Sequence, residues 1–290
     1  METNFVNRLS GLSTFVTEAS GKDEQGVFQA FTQNVLEPNM DYYSCVIGIS
    51  EEGLMQYANS ILHHVAEFES LGKIVKKNFL HDLEKFQEHF PELDVNFSVI
   101  LLPSLGLFHG MAVPFDGQVV LLLGVDALAN LDSQQFHSYI IHELFHTYHF
   151  QQSSSACDAA ERAIRSQHLP ALWSLFFSEG MANCAVRIVY PQILAEDILG
   201  WRPLVEAVQP ILSQLADQAK SGLRSENLQD ISGFFYFPRP DEQIPTGCGY
   251  YLGFLLMEEL RRTYHLDELI HLSEDELVPA MEAVLIEWVQ

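Results

Sequence analysis

Two histidines four residues apart enclose a glutamate in the run "SYIIHELFHTYHFQQ", at His142, Glu143 and His146. A helix advances about 100° per residue, so positions i and i+4 share one face, and both imidazoles can reach a single tetrahedral cation. Glu143 is placed to touch a water on that cation without being a ligand, as a general base must. Zinc brings the pKa of a bound water to about 7, so a neighbouring carboxylate could complete its deprotonation during attack on an amide carbonyl.

Zinc in catalytic sites takes three protein ligands and leaves a fourth position open. "SEGMAN" follows thirty-two residues after His146, with Glu179 in a helical context and Asn183 one turn further on. Glu179 would complete a set of two histidines and a carboxylate. Asn183, at i+4, could accept a hydrogen bond from the outer N–H of a ligand histidine and so fix its tautomer. Cys157, Asp158 and Glu161 are rival third ligands, nearer in sequence. A site built on Cys157 must bend the chain back through "QQSSSA", so Glu179 is preferred. His149 shares the face of His142 and His146, but three histidines from one helix cannot easily surround one ion. It is read as a cleft residue or a hydrogen-bonded neighbour.

The elements that must position these residues follow from periodicity. Residues 3–92 carry apolar positions at spacings of three and four between charged ones, which predicts a helical N-terminal region. "VNFSVILLPS" (95–104) and "GQVVLLLGVD" (117–126) are short, β-branched and apolar, with the Asp116-Gly117 turn signal just before the second. They predict two strands of a small sheet, with about 118–123 as the edge strand to which an extended peptide would add. "DSQQ" (132–135) offers Asp132 as an N-cap with Gln135 at the capping-box position, so a helix should run from there to about Gln152. Further helices are expected over roughly 157–167 and 170–190, the latter ended by Pro191. Helical pattern continues beyond, interrupted by the aromatic "SGFFYFPRPDEQIPTGCG" (232–249) that contains Arg239. His109, in "FHGMA", is set apart only by preceding the expected edge strand, where a place at a cleft rim is the lesser of its two readings, and the remaining histidines, His168 among them, are read as solvated or half-buried. This divides the chain into a helical region (1–94), a catalytic core (95–190) and a helical C-terminal subdomain (191–290).

The 290 residues are 48% hydrophobic and 11% aromatic, the composition of a globular chain. Thirty-nine acidic against fifteen basic residues give a formal charge of -24, which repels nucleic acid and anionic lipid surfaces. No apolar run reaches the length of a membrane span, and the first residues lack a secretory signal pattern. The four cysteines form no C-x-x-C pair, which suits reduced thiols. A cytoplasmic setting without nucleic-acid or membrane partners is the expectation.

"HELFH" followed by "EGMAN" resembles the gluzincin class of zinc metallopeptidases, in particular the predicted Zn-dependent protease families whose third ligand lies in an E-G-x-A motif. That resemblance implies an α+β fold with a zincin-like core: a small twisted sheet, two motif helices, and mainly helical N- and C-terminal parts. It implies Zn2+ held by His142, His146 and Glu179, with Glu143 as general base and a peptide or protein as substrate. "GYYLG" (249–253) is similar to a Gly-Tyr-x-x-Gly element downstream in such proteins. It would make Tyr250 the group that stabilises the oxyanion, with Tyr251 its equal on chemistry. Metzincins are excluded, because their motif needs glycine at 149 and histidine at 152, where this chain has His149 and Gln152. Two alternatives stay open: a zincin-fold module that binds peptides or proteins without cleaving them, and a metallohydrolase of a non-peptide amide.

Overall fold

Four strands form one mixed sheet: β1 (Asn4–Asn7), β2 (Ser98–Leu102), β3 (Gly110–Phe115) and β4 (Gln118–Gly124), in the order β1-β2-β4-β3. This is a computed structural model, and it describes residues 3–46, 50–115, 117–166, 170–200, 202–235 and 244–289. Asp116, His168 and Arg239, singled out above, lie outside the described residues. Apart from this small sheet the described chain is mostly helical. Contacts group it into two units, residues 1–87 with 92–143, and 88–91 with 144–290.

The first unit holds the sheet. β1, β2 and β4 run parallel, with Phe5 opposite Val99 and Ile100 opposite Leu122, while β3 is antiparallel to β4, with Ala112 opposite Leu121. The expectation that 118–123 is the edge is therefore wrong: β4 lies inside the sheet, whose edges are β1 and β3. The physical reason is legible in "VVLLL", which is buried at every position from Val119 to Leu123 and alternates nothing, as suits a strand covered on both faces. β3 instead carries Pro114, which has no N–H to give a ladder and is tolerated at an edge. Two further differences concern number and place. β1 forms in a stretch read as helical, and β3 forms within the connection expected between the two strands.

The helix Val65–His89 covers the sheet. Phe79, fully buried, meets Phe5 of β1 edge-on at 5.5 Å between ring centroids. Gly72 of the same helix lets Leu9 and Leu101 approach, since a Cβ there would lie 3.1 Å from Leu9 Cδ1. At the far end of β4, the Asp126 carboxylate accepts hydrogen bonds from the Ser104 amide, the Ser104 hydroxyl and the Tyr57 phenol, at 2.7 to 2.8 Å. This pins the β2 exit to the β4 exit.

The motif helix spans Ser133–Gln152, as the capping signal predicts. Asp132 Oδ1 accepts from the Gln135 amide at 2.8 Å, and Gln135 Oε1 accepts in return from the Asp132 amide at 3.3 Å.

The second unit is helical. Leu172–Val189 is its central element, buried over most of its surface, with Phe176, Met181, Ala182 and Val186 fully enclosed. It crosses Cys248–Leu260 at very close range through two glycines. A Cβ on Gly180 would lie 2.3 Å from the Gly253 carbonyl oxygen, and one on Gly253 would lie 2.6 Å from the Phe176 carbonyl oxygen. The Gly of "SEG" and the last Gly of "GYYLG" are thus the two sides of one backbone contact. Gly180→Val is expected to destabilise the protein by about 1–3 kcal/mol through overpacking; denaturant unfolding against wild type measures it, and an unchanged midpoint would contradict the packing described.

Candidate metal centre

His142, Glu143 and His146 occupy one turn of the motif helix and are all buried, although each is ionisable. His142 and His146 ride on the same unbroken helix, so their spacing depends only on helical geometry. Glu179 comes from Leu172–Val189, in the same unit as His146. Ligand atoms of His142, His146 and Glu179 all lie within 4.8 Å of one another, and His146 Nε2 stands 3.6 Å from Glu179 Oε2. A tetrahedral ion with bonds of about 2.0–2.2 Å sets its ligands about 3.4 Å apart, so this pair already stands at the right separation. Two imidazoles and one carboxylate suit zinc, and manganese or cobalt accept the same donors.

The other nitrogen of His146 is also engaged. Its Nδ1 lies 3.3 Å from the Ser178 hydroxyl. With Nδ1 donating to Ser178, the lone pair sits on Nε2, facing Glu179, which is the tautomer a metal ligand needs. Ser178 was missed from sequence, although it directly precedes Glu179. Asn183, given this orienting role above, is fully buried, and its side-chain amide donates to the Glu179 carbonyl at 2.7 Å. That bond ties the residue to the helix turn that carries Glu179.

Glu143 is held from the sheet side. Its Oε2 accepts from the Ala112 amide of β3 at 3.0 Å. Directly beneath lies Gly110, where a Cβ would meet Glu143 Cγ at 2.6 Å. Glycine at 110 is what lets this carboxylate lie against the edge strand. Tyr139, one turn earlier on the motif helix, is a second residue that sequence reasoning passed over. Burial pushes its phenol up, and the Glu143 charge adds to the shift, which places the phenol within electrostatic reach of the carboxylate. His109 stacks on Tyr139 with centroids 4.3 Å apart, and burial lowers its imidazole. It therefore sits beside the turn that carries Glu143.

The remaining expectations are placed as follows. Tyr250 is half-buried at the start of Cys248–Leu260, edge-on to Phe235 at 5.2 Å. Tyr251 is buried and stacked on Phe254, and burial raises its phenol. Cys157, Asp158 and Glu161 do not belong to the three-residue cluster; burial pushes the Cys157 thiol up, and Glu161 pairs with Arg165. His149 is buried, its Nδ1 has no hydrogen-bond partner, and burial, with help from His146 and His271, lowers its pKa to about 3. It stays neutral and adds no positive charge near the two histidines. It lines a cavity of about 740 Å³ with Trp173, Phe177 and Leu277.

Two measurements check this geometry. Ser178→Ala is expected to weaken zinc binding about ten- to hundredfold, read by competition with a chromophoric chelator, whereas unchanged affinity would remove Ser178 from the site. His149 has a folded pKa below its unfolded value, so its contribution is present above about pH 6.5 and lost as pH falls toward 3. His149→Phe is therefore expected to flatten the loss of stability between about pH 6 and 4 in acid unfolding curves. No protein-family model, curated protein or solved structure matches this chain.

Proposed function

We propose that this chain is a zinc-dependent metallopeptidase of gluzincin type, with a zincin-like core formed by the sheet and the two motif helices. The observation that carries the reading is the convergence of His142, His146 and Glu179 from two helices, with Glu143 buried beside them and anchored on the edge strand. His142, His146 and Glu179 would hold the ion, which when bound supplies Lewis acidity and an acidified water.

The chain's own residues account for the rest. Among the described residues β3 is paired with a strand on one side only, so an extended peptide can add along its other side, next to the Ala112 amide that holds Glu143. Glu143, fixed by the Ala112 amide of that same strand, removes the proton of the attacking water and returns it to the leaving amine. Tyr250 is assigned to the carbonyl oxygen, since its neighbour Tyr251 is committed to the core; Tyr139 is its rival by virtue of lying near Glu143. The formal net charge of -24 makes nucleic acid a poor partner, and among the described residues no helix is long and apolar enough to cross a membrane.

The test is a peptide-library cleavage assay on the zinc-loaded chain, with and without chelator. Glu143→Gln is expected to retain zinc and lose activity by about 10²–10⁴-fold; cleavage at the wild-type rate would overturn the scheme, and peptide binding without any cleavage would favour a non-hydrolytic binder. Gly110→Ala, which forces Glu143 off the edge strand, is expected to lower kcat while zinc stoichiometry stays at one; undiminished kcat would show that the anchoring is immaterial.

A further inference from the structure

Away from the metal cluster, the first turns of the motif helix carry a second set of groups that no part of the peptidase reading uses. Ser133 Oγ lies 3.2 Å from His137 Nε2, and His137 Nδ1 lies 2.8 and 3.0 Å from the two carboxylate oxygens of Asp82. Asp82 is fully buried on the Val65–His89 helix, the His137 side chain is 25% exposed, and Ser133 is exposed. We propose that Ser133, His137 and Asp82 form a hydroxyl-nucleophile site that transfers acyl groups from small, negatively charged esters to water.

The argument is one of hydrogen-bond direction. A carboxylate only accepts, so the neutral imidazole must donate through Nδ1, which leaves its lone pair on Nε2, aimed at the serine hydroxyl. A hydroxyl, an imidazole and a buried carboxylate linked in this order constitute the arrangement that activates serine on several unrelated folds, recognised by geometry rather than by chain order. A purely structural clasp between the two helices would need only Asp82 and His137; the exposed hydroxyl on the far nitrogen adds nothing to it. Ser133 also opens the helix, where the first amides have no intrahelical acceptor. The Asp132 side chain caps the amide of Gln135 in that first turn.

The substrate class comes from what lies next to the imidazole. The His81 ring is 6.1 Å from that of His137, and His81 lines an open depression of about 470 Å³ together with Lys73, Lys76, Lys77, Leu80 and Glu84. Three lysines within five residues are a local exception in a chain with 39 acidic and 15 basic residues. They favour an anionic group, and Leu80, 39% exposed, offers an apolar contact to a short acyl chain.

The reaction balances without a co-reactant other than water. Ser133 Oγ bonds the acyl carbon while its proton passes to His137 Nε2; the ester C–O bond breaks, and the departing alkoxide takes that proton. Water then gives its proton to His137 and its oxygen to the acyl carbon, and the serine leaves reprotonated, with a carboxylic acid as product.

The experiment uses the full chain with chelator throughout, so that metal-dependent hydrolysis is silent and failure here is separable from failure of the peptidase reading. A fluorophosphonate probe is expected to phosphonylate Ser133, located by peptide mass spectrometry, with loss of fluoride. Hydrolysis of 4-acetoxybenzoate is expected to exceed that of neutral 4-nitrophenyl acetate in kcat/KM after correction for their uncatalysed rates. Ser133→Ala, at an exposed position, should fold normally and abolish both labelling and hydrolysis, and Asp82→Asn should slow labelling about 10³–10⁴-fold by trapping the wrong tautomer. Absence of label on Ser133, or an undiminished rate in Ser133→Ala, overturns the proposal; equal corrected rates for the two esters overturn its substrate class.

Discussion

Burying ionisable side chains is costly unless opposite charge or hydrogen bonds offset the loss of water. His142, Glu143 and His146 lie out of solvent on one helical turn, and the Glu179 side chain is mostly enclosed. The Glu143 carboxylate is tied to a backbone amide, the His146 imidazole to a hydroxyl and the Glu179 carboxylate faces that imidazole, and a divalent cation among them would offset much of the remaining cost. Helices from different parts of the chain must bring these groups within a few ångströms, and the rest of the fold can be read as the means of doing so.

Three devices share that task. The capping box at Asp132 and Gln135 starts the motif helix at a defined residue, and therefore sets which face His142 and His146 present. The glycine contact between Gly180 and Gly253 lets the glutamate-bearing helix sit against its neighbour at backbone range, where a side chain would push it away. Gly110 clears the edge strand for Glu143, whose carboxylate then takes the Ala112 amide. Each device uses a glycine or a reciprocal hydrogen bond, and each fixes a position rather than adding bulk stability.

Much of the site was legible because its determinants are local. The spacing of His142 and His146, the cap at Asp132 and the glutamate–glycine pair at 179–180 are all short-range signals, and all three appear in the structure where they were expected. What was missed depends on partners distant in sequence. β1 is four residues long and exists because it pairs with β2, 94 positions away at Asn4 and Ser98, so no periodicity could announce it. Ser178 orients His146 only after two helices have met. The edge is different, because its signals are local: the unbroken apolar run of β4 suits a strand covered on both faces, and the proline in β3 suits an edge.

The central claim is that two imidazoles and one carboxylate converge on one divalent cation. X-ray absorption at the zinc edge of the purified, zinc-loaded chain tests it most directly. The account predicts one zinc per chain in a nitrogen and oxygen shell at about 2.0–2.2 Å, with the multiple-scattering signature of two imidazoles. A sulfur shell at about 2.3 Å, which would bring in Cys157, or a chain that retains no zinc, would contradict it.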